Sequence, residues 1–440
     1  MKKNSGFSSI YVLLCLSSLV LFLLCVCELC SGYAAGSICE NVCLVAGKSV
    51  LSEYQPDLQR RYGVFAVTAF PQKLEPLNAF YIRQNLNGTS LLIRPKLREC
   101  TVSCEETQGL DVESLADQID TLGLMMLGKD ALDETGALRL LRELLDPLEN
   151  REDKEAAKQV KDLPPSPPEG QSGKSPAELM REYDDAMHPD LGEHEGRSLV
   201  SAHKEQLPTR LLDVRPSSSL LKYAASALLQ DGLSAGALLQ SRYVVSVCSD
   251  LLHQRDDTVL GLETEYVLFG RDSDRENEAE MKDALFKIRM AVDLARNLRN
   301  ETKLSTYATA AAAFPAVPQP LAVLILAAID AAVQAEGEVQ TLCGGGFVAI
   351  APGSGEQQGR FGTYRDYAML LLLLLPQQTR LARLMDMMQA DVAYMDGASF
   401  AFRDYCYGFV LHAEFEKKSF LPVLSGPLRH GTVEQAHVYR

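Results

Sequence analysis

The sequence predicts an α+β protein in which an N-terminal transmembrane helix continues into a stalk, followed by a small antiparallel sheet and a large helical domain inserted before C-terminal strands. Three observations predict it. From Phe7 to Leu29 the only strongly polar residue is Glu28, a run that meets the roughly 20 residues a helix needs to cross a hydrocarbon core. Segments rich in β-branched and aromatic residues occur near residues 64–102 and again near 400–416, so the late strands can return to the early ones and close one sheet. Between these groups apolar residues recur at helical spacing.

The N-terminal run reads as a retained anchor over residues 8–30, because a secretory signal has an apolar core of only about 7 to 15 residues. Lys2 and Lys3 precede it and no further basic residue comes before Lys48. The positive-inside rule therefore places residues 1–7 in the cytoplasm and the bulk of the chain outside it. Glu28, in the last turn, is expected to reach the headgroup layer. Ile38, Val42, Val45, Leu51, Tyr54 and Leu58 keep the helical period, which extends the helix as a stalk over 31–62, ending at Arg60-Arg61-Tyr62-Gly63.

Residues 63–148 read as an α+β region. Val64–Phe70, Ala79–Gln84 and Ser90–Val102 have strand composition, with a turn signal at Asn87-Gly88, and Asp111–Leu127 and Leu132–Leu148 return to helical spacing. From Glu149 the chain turns charged and then Pro-rich at Pro164–Pro168. Residues 149–216 therefore read as a disordered or Pro-rich linker, since such composition buries too little apolar surface to offset ordering entropy.

A helical domain is expected over 217–397. Ser218–Leu229 and Ala235–Leu252 have helical patterning, and Glu263–Phe269 ends at Gly270 as a C-cap. Ser273 and Glu276 have the spacing of a capping box, after which Met281, Leu285, Ile288, Val292, Ala295 and Leu298 mark one helix face. Ala308–Ala332 and Met369–Leu375 are apolar, yet prolines or short length argue for buried core helices rather than further spans. Thr363–Leu375 and Gln377–Val392 form a pair broken at Pro376, and residues 398–440 supply C-terminal strands and a tail.

Composition narrows the function. The chain has 440 residues, 47% of them hydrophobic, and a net charge of -15; without a basic stripe it is not a nucleic-acid binder. Its eleven cysteines are odd in number and irregular in spacing, unlike a disulfide framework, although Cys100 and Cys104 can be written as a pair in a turn or as free thiols. No P-loop, nucleophile elbow or zinc motif occurs. His188, His194 and His203 with Asp190, Glu193 and Glu195 read as solvated linker side chains, and Cys343-Gly344-Gly345-Gly346 as a loop. Asp366 completes a cap with Thr363, and Glu263 and Glu265, two residues apart, make no obvious acid/base pair with each other, which leaves tertiary partners open. The expectation is no catalytic residue, no cofactor and no metal.

One set of motifs points to relatives. Glu265-Tyr266-Val267-Leu268-Phe269-Gly270, followed by Ser273-Asp274 and Asn277, resembles a bacterial family of single-anchor exported proteins, common in Gram-positive bacteria and catalogued as a domain of unknown function. The apolar run ending at Glu28, Tyr62-Gly63-Val64-Phe65, Ala308–Ala332 and Tyr364-Arg365-Asp366-Tyr367 fit the same family in order. The resemblance implies association with Tad-type pilus or secretion loci and a plan similar to the TadE and TadG components. The chain departs from a true pilin at Tyr11, where a pilin cleavage site has Glu. The expected function is a non-enzymatic, membrane-anchored, exported structural or assembly component of an envelope machine, with protein partners there. The alternative is an anchored exported hydrolase whose catalytic residues are dispersed in sequence.

Overall fold

The computed structural model describes residues 5–87, 95–104, 112–127, 175–192, 196–198, 235–256, 258–349, 361–396, 400–418 and 428–439. In chain order the elements begin with α1 (Ser5–Leu51), α2 (Pro56–Tyr62), β1 (Val67–Thr68), α3 (Pro71–Asn87), β2 (Lys96–Ser103) and α4 (Val112–Leu127). There follow α5 (Pro176–Met187), α6 (Ala235–Val247), α7 (Glu263–Phe269), α8 (Asp274–Arg299), α9 (Glu301–Ala311) and α10 (Gln319–Cys343). The chain ends with β3 (Val348–Ala349), β4 (Phe361–Gly362), α11 (Tyr364–Leu374), α12 (Gln377–Asp396), β5 (Tyr405–Cys406), β6 (Gly408–Lys418) and β7 (Leu428–Val438). Two compact units result: Met1–Gln118 with Phe400–Arg440, and Ile119–Ser399. The fold is α+β, with a long apolar N-terminal helix, small antiparallel sheets and a large helical region between the two halves of the first unit.

In the first unit α1 is continuous through 47 residues. Its large apolar side chains from Ile10 to Val26 are exposed on every face, a pattern that water does not tolerate over such a length. The helix is long and apolar enough to cross a membrane, compatible with an anchor or a signal sequence. Farther along, Cys39, Val42, Cys43, Ala46 and Val50 are buried at i, i+3, i+4 spacing against the sheet and α3. Glu28 is buried at 4% exposure rather than directed to the surface. The stalk is also not one helix: α1 stops at Leu51 and α2 starts afresh at Pro56, whose fixed φ suits a first helical turn. Tyr62 is buried, and Gly63 closes α2 at φ 68, a left-handed conformation that glycine adopts without a Cβ clash.

The sheet order is β2-β6-β7, all antiparallel, and β1 pairs with β5, so the late strands do return to the early ones. β6 shows why: Phe409, Leu411, Ala413, Phe415 and Lys417 are buried, whereas His412 and Glu414 are exposed, the period-2 alternation of a half-buried strand. Ala79–Gln84 is helix, not strand. Its β-forming Phe80, Tyr81 and Ile82 are overruled by Leu74, Asn78 and Ile82, which are buried four residues apart and seat α3 on the core. Only Val67–Thr68 of the first expected strand pairs, and of the third the pairing covers Lys96–Ser103. Residue 88 of the turn signal lies outside the described residues. The expected tail contains β7, in register with β6 over its whole length.

In the second unit, α11 is buried on all sides from Tyr367 to Leu374, as a core helix must be. α10 passes a length and composition test for crossing a membrane, but it packs against α8, α9 and α5. The last of these corrects the linker: Ser175 opens a helix with a full capping box to Glu178, and Leu179 is buried with Leu304, Tyr307, Phe314 and Val323. Residues 149–174, 132–148 and 218–229 lie outside the described residues.

Candidate functional site

α8 organises the second unit's polar interior. Of the expected face Met281 and Leu285 are buried and Ile288 and Val292 half-buried, while the fully buried positions also include Asn277, Arg289, Asp293 and Asn297. Charged and amide groups thus line the inner side of a helix at four-residue intervals, and each has to find a partner within the protein.

The joint between α7 and α8 comes first. Gly270 caps α7 at φ 69, its N–H bonded to the Tyr266 carbonyl, and a Cβ there would lie 2.8 Å from Arg383 Nε. Ser273 caps α8 by accepting the Glu276 N–H, the Ser half of the expected box. Asp274 accepts backbone N–H groups from Arg197, Gly261 and Leu262 at 2.8–3.1 Å. Asn277 clasps Arg271 by both its N–H and its carbonyl, at 2.9 and 3.0 Å. Tyr266 packs with Leu260 and Met387. The whole motif is thereby spent on joining two helices.

Glu263 and Glu265 then bind the preceding loop. Glu263 accepts from Ser249 N at 2.6 Å and Ser249 Oγ at 2.9 Å, and Glu265 Oε1 accepts from Leu251 N at 3.1 Å. Tyr364 brings α11 into this cluster by donating its hydroxyl to Glu265 Oε1. Burial pushes the Glu265 carboxyl up to about 7, with the charge of Asp250 adding to it and the hydrogen bonds opposing it. Asp250 holds its own turn through Leu252 N and His253 N, and it pairs with Arg365 Nε at 2.5 Å. Cys343 lies within electrostatic reach of Glu265, and burial raises its thiol to about 11.

About three turns farther along α8, Arg289 donates to Tyr367 at 2.9 Å and to Glu338 on α10, with Asp293 at 3.6 Å and Arg296 closing the ring on Asp293 at 2.9 Å. Burial lifts Asp293 to about 6. Burial opposes the Arg289 charge, but Tyr367, Glu338 and Asp293 outweigh it and hold the guanidinium above its ordinary range. Lys282 pairs with Glu278 at 2.7 Å and ties the Leu191 and Gly192 carbonyls. Two further buried arginines come from α12. Arg383 donates to the Val267 and Leu268 carbonyls at the end of α7, and Arg380 to those of Leu372 and Leu375 at the end of α11, placing a cation at each helix C-terminus.

Chemically, Glu265 with Tyr364 is a neutral-range proton carrier, the kind of group found at catalytic sites. Both residues are fully buried, and neither lines the cavities of about 750 Å³ in the first unit and about 480 Å³ beside α8. Of the positions singled out from the sequence, the structure brings together Glu265 and Tyr364, whereas Tyr367 bonds to Arg289. Asp366 caps α11 in a full box with Thr363, while Glu28, Tyr62 and Gly63 belong to the first unit. Arg289, Asp293, Glu338, Arg380 and Arg383 carried no recognisable signal. The only local trace was the i, i+4 spacing of Arg289 and Asp293, which solvated helix faces share. Among the described residues no cluster of His, Cys, Asp or Glu is arranged to hold a metal, and His188 bonds instead to the Asp184 carbonyl. His194 and His203 lie outside the described residues. Cys100 and Cys104 are free thiols, and the Cys104 partner is the Cys406 thiol, brought in by β5.

The second unit is thus a helical domain built around a buried charged seam. Residues 191–356 are similar to a family of unknown function (DUF5702). That match takes in Glu265, Gly270, Ser273, Asn277, Arg289 and Glu338, and stops short of Tyr364 and Tyr367. No curated protein and no solved structure matches the chain.

Proposed function

We propose that the protein is a non-enzymatic, membrane-anchored, exported structural or assembly component of an envelope machine, of the Tad-like pilus or secretion kind in Gram-positive bacteria. The observation that carries this reading is α1: its first half is apolar and exposed all round, and without a break its second half is buried in the sheet of the first unit. A helix of that design ties a folded unit to a bilayer through a rigid connection. Support for a non-enzymatic role comes from the seam, whose most perturbed groups are used on helix joints, caps and one another.

The full chain in a Gram-positive host tests it. Protease added outside intact protoplasts should cut near Pro164–Pro168, and the mature N-terminus should lie at or near residue 1. Protection of that site overturns the orientation, and a mature chain starting at Phe7 favours a processed pilin. The hydrolase alternative leads if Glu265→Gln abolishes a measurable hydrolytic activity while leaving the melting temperature intact.

A further inference from the structure

The cavity of about 750 Å³ in the first unit lies between α1, from Leu29 to Glu40, and the ends of β6 and β7 at Phe415, Lys417 and Gly431–Val433. Two glycines on its wall, Gly36 and Gly431, are not there for packing. Gly47, farther along α1, meets the His437 ring 2.3 Å from where a Cβ would stand, so only glycine fits. Gly36 and Gly431, both on the cavity wall, have nothing within 4 Å of that point. A mid-helix glycine with no neighbour is unfavourable for the helix and fills no space; what it does leave is room.

The cavity is charged as well as open. Period-2 alternation along β6 forces Lys417 onto the inward face after Phe415, where it is 7% exposed and donates to Ser31 Oγ at 2.5 Å. Ser37 and Glu40, on the same side of α1, line the same space. Its place along α1 says what reaches it. At 1.5 Å per residue, Ile10 to Leu29 spans about 28 Å, close to the thickness of a hydrocarbon core. The cavity therefore opens where the headgroup layer begins, continuous with the apolar surface that acyl chains would cover.

We propose that this cavity binds a zwitterionic phospholipid of the phosphatidylethanolamine class. The phosphate sits with Lys417 and the hydroxyl of Ser37, the ammonium with Glu40, and the acyl chains run along the exposed face of α1. An anionic lipid without an ammonium leaves Glu40 facing like charge, which sets the preference. The inference rests on the anchor reading of α1.

The test uses the full chain in phosphatidylglycerol vesicles containing a headgroup-photoreactive phosphatidylethanolamine, with adducts mapped by mass spectrometry. Labelling should concentrate on residues 29–40 and 415–433 and fall to background in Gly36→Phe, which fills the space without meeting a neighbour. In Glu40→Gln, an exposed position independent of folding, the preference for phosphatidylethanolamine over phosphatidylglycerol should disappear. Equal labelling of the wild type and a folded Gly36→Phe, or an unchanged preference in Glu40→Gln, overturns the site. Full competition by inorganic phosphate or glycerophosphoethanolamine overturns the lipid as its source. Release of the chain by alkaline carbonate is a separate result, and it overturns the anchor and the lipid proposal together.

Discussion

Behind the β2-β6-β7 sheet lie Val42, Phe409, Leu411 and Phe415 with the thiols of Cys39, Cys43, Cys104 and Cys406, while the inner side of α8 presents Arg289 and Asp293, each fully buried. The first interior is held by area removed from water, a force without direction in which neighbours of similar volume can be exchanged at modest cost. The second is held by pairs. Each buried charge there is tolerable only while its partner stays at hydrogen-bonding distance, so net stability is small and the loss on breaking a pair is large. Burial alone does not say how a core will respond to change.

The largest effect should come from cutting the seam. Arg289→Ala removes the fully buried cation shared by Glu338 and Asp293 and leaves them only the half-buried Arg296, and breaking a buried pair in this way costs about 3–5 kcal/mol; denaturant titration followed by a probe in the second unit measures it. A loss under about 1 kcal/mol would place the seam among hydrated, weakly coupled charges. In the first unit Leu411→Ala empties a fully buried site and should cost about 2–5 kcal/mol. Here the two interiors separate: Leu411→Met should recover most of that loss, whereas Arg289→Lys, which lacks the planar fork that serves Glu338 and Tyr367 together, should not.

Acidity separates them further. The folded state holds the Glu265 proton up to about pH 7, whereas an unfolded glutamate releases it near 4.5. Between those values the native state binds more protons, so stability falls as pH rises through the window and is level above it. A shift of that size corresponds to about 3 kcal/mol. Glu265→Gln, which imitates the protonated carboxyl, should remove this fall, and melting curves of the two proteins should converge near pH 4.5 and diverge toward pH 7. Parallel curves across that range would mean that Glu265 is ionised in the fold.

Much of the architecture was legible because it follows local rules. The unbroken apolar run, Gly270 after Phe269, the Thr363 cap and Pro376 between α11 and α12 are set by neighbours in sequence, and the paired strand groups by composition. What escaped depends on tertiary partners. Ala79–Gln84 has strand-forming residues but takes its conformation from a face that α1 and β2 cover. Pro176–Met187 looked like linker because one buried leucine, Leu179, is enough to dock it. The seam was unreadable for the same reason: Arg289, Glu338 and Tyr367 come from three helices, and nothing in the spacing of one records the other two.

The smallest expected effect tests whether Asp366 belongs to this architecture or to chemistry. Its Oδ2 accepts the Thr363 N–H and hydroxyl at 2.8 Å each, and its own N–H returns to Thr363 Oγ. Those bonds satisfy donors at the start of α11 that no helical carbonyl can reach. Asparagine keeps the side-chain oxygen that accepts them and loses only the charge favoured at a helix N-terminus, so Asp366→Asn should cost no more than about 1 kcal/mol. Asp366→Ala, which removes the acceptor, should cost more than Asp366→Asn by about the worth of one cap. If instead both variants melted like the wild type and an activity vanished with the charge, α11 would begin with a functional acid, and the seam beneath it would be the scaffold of an active site.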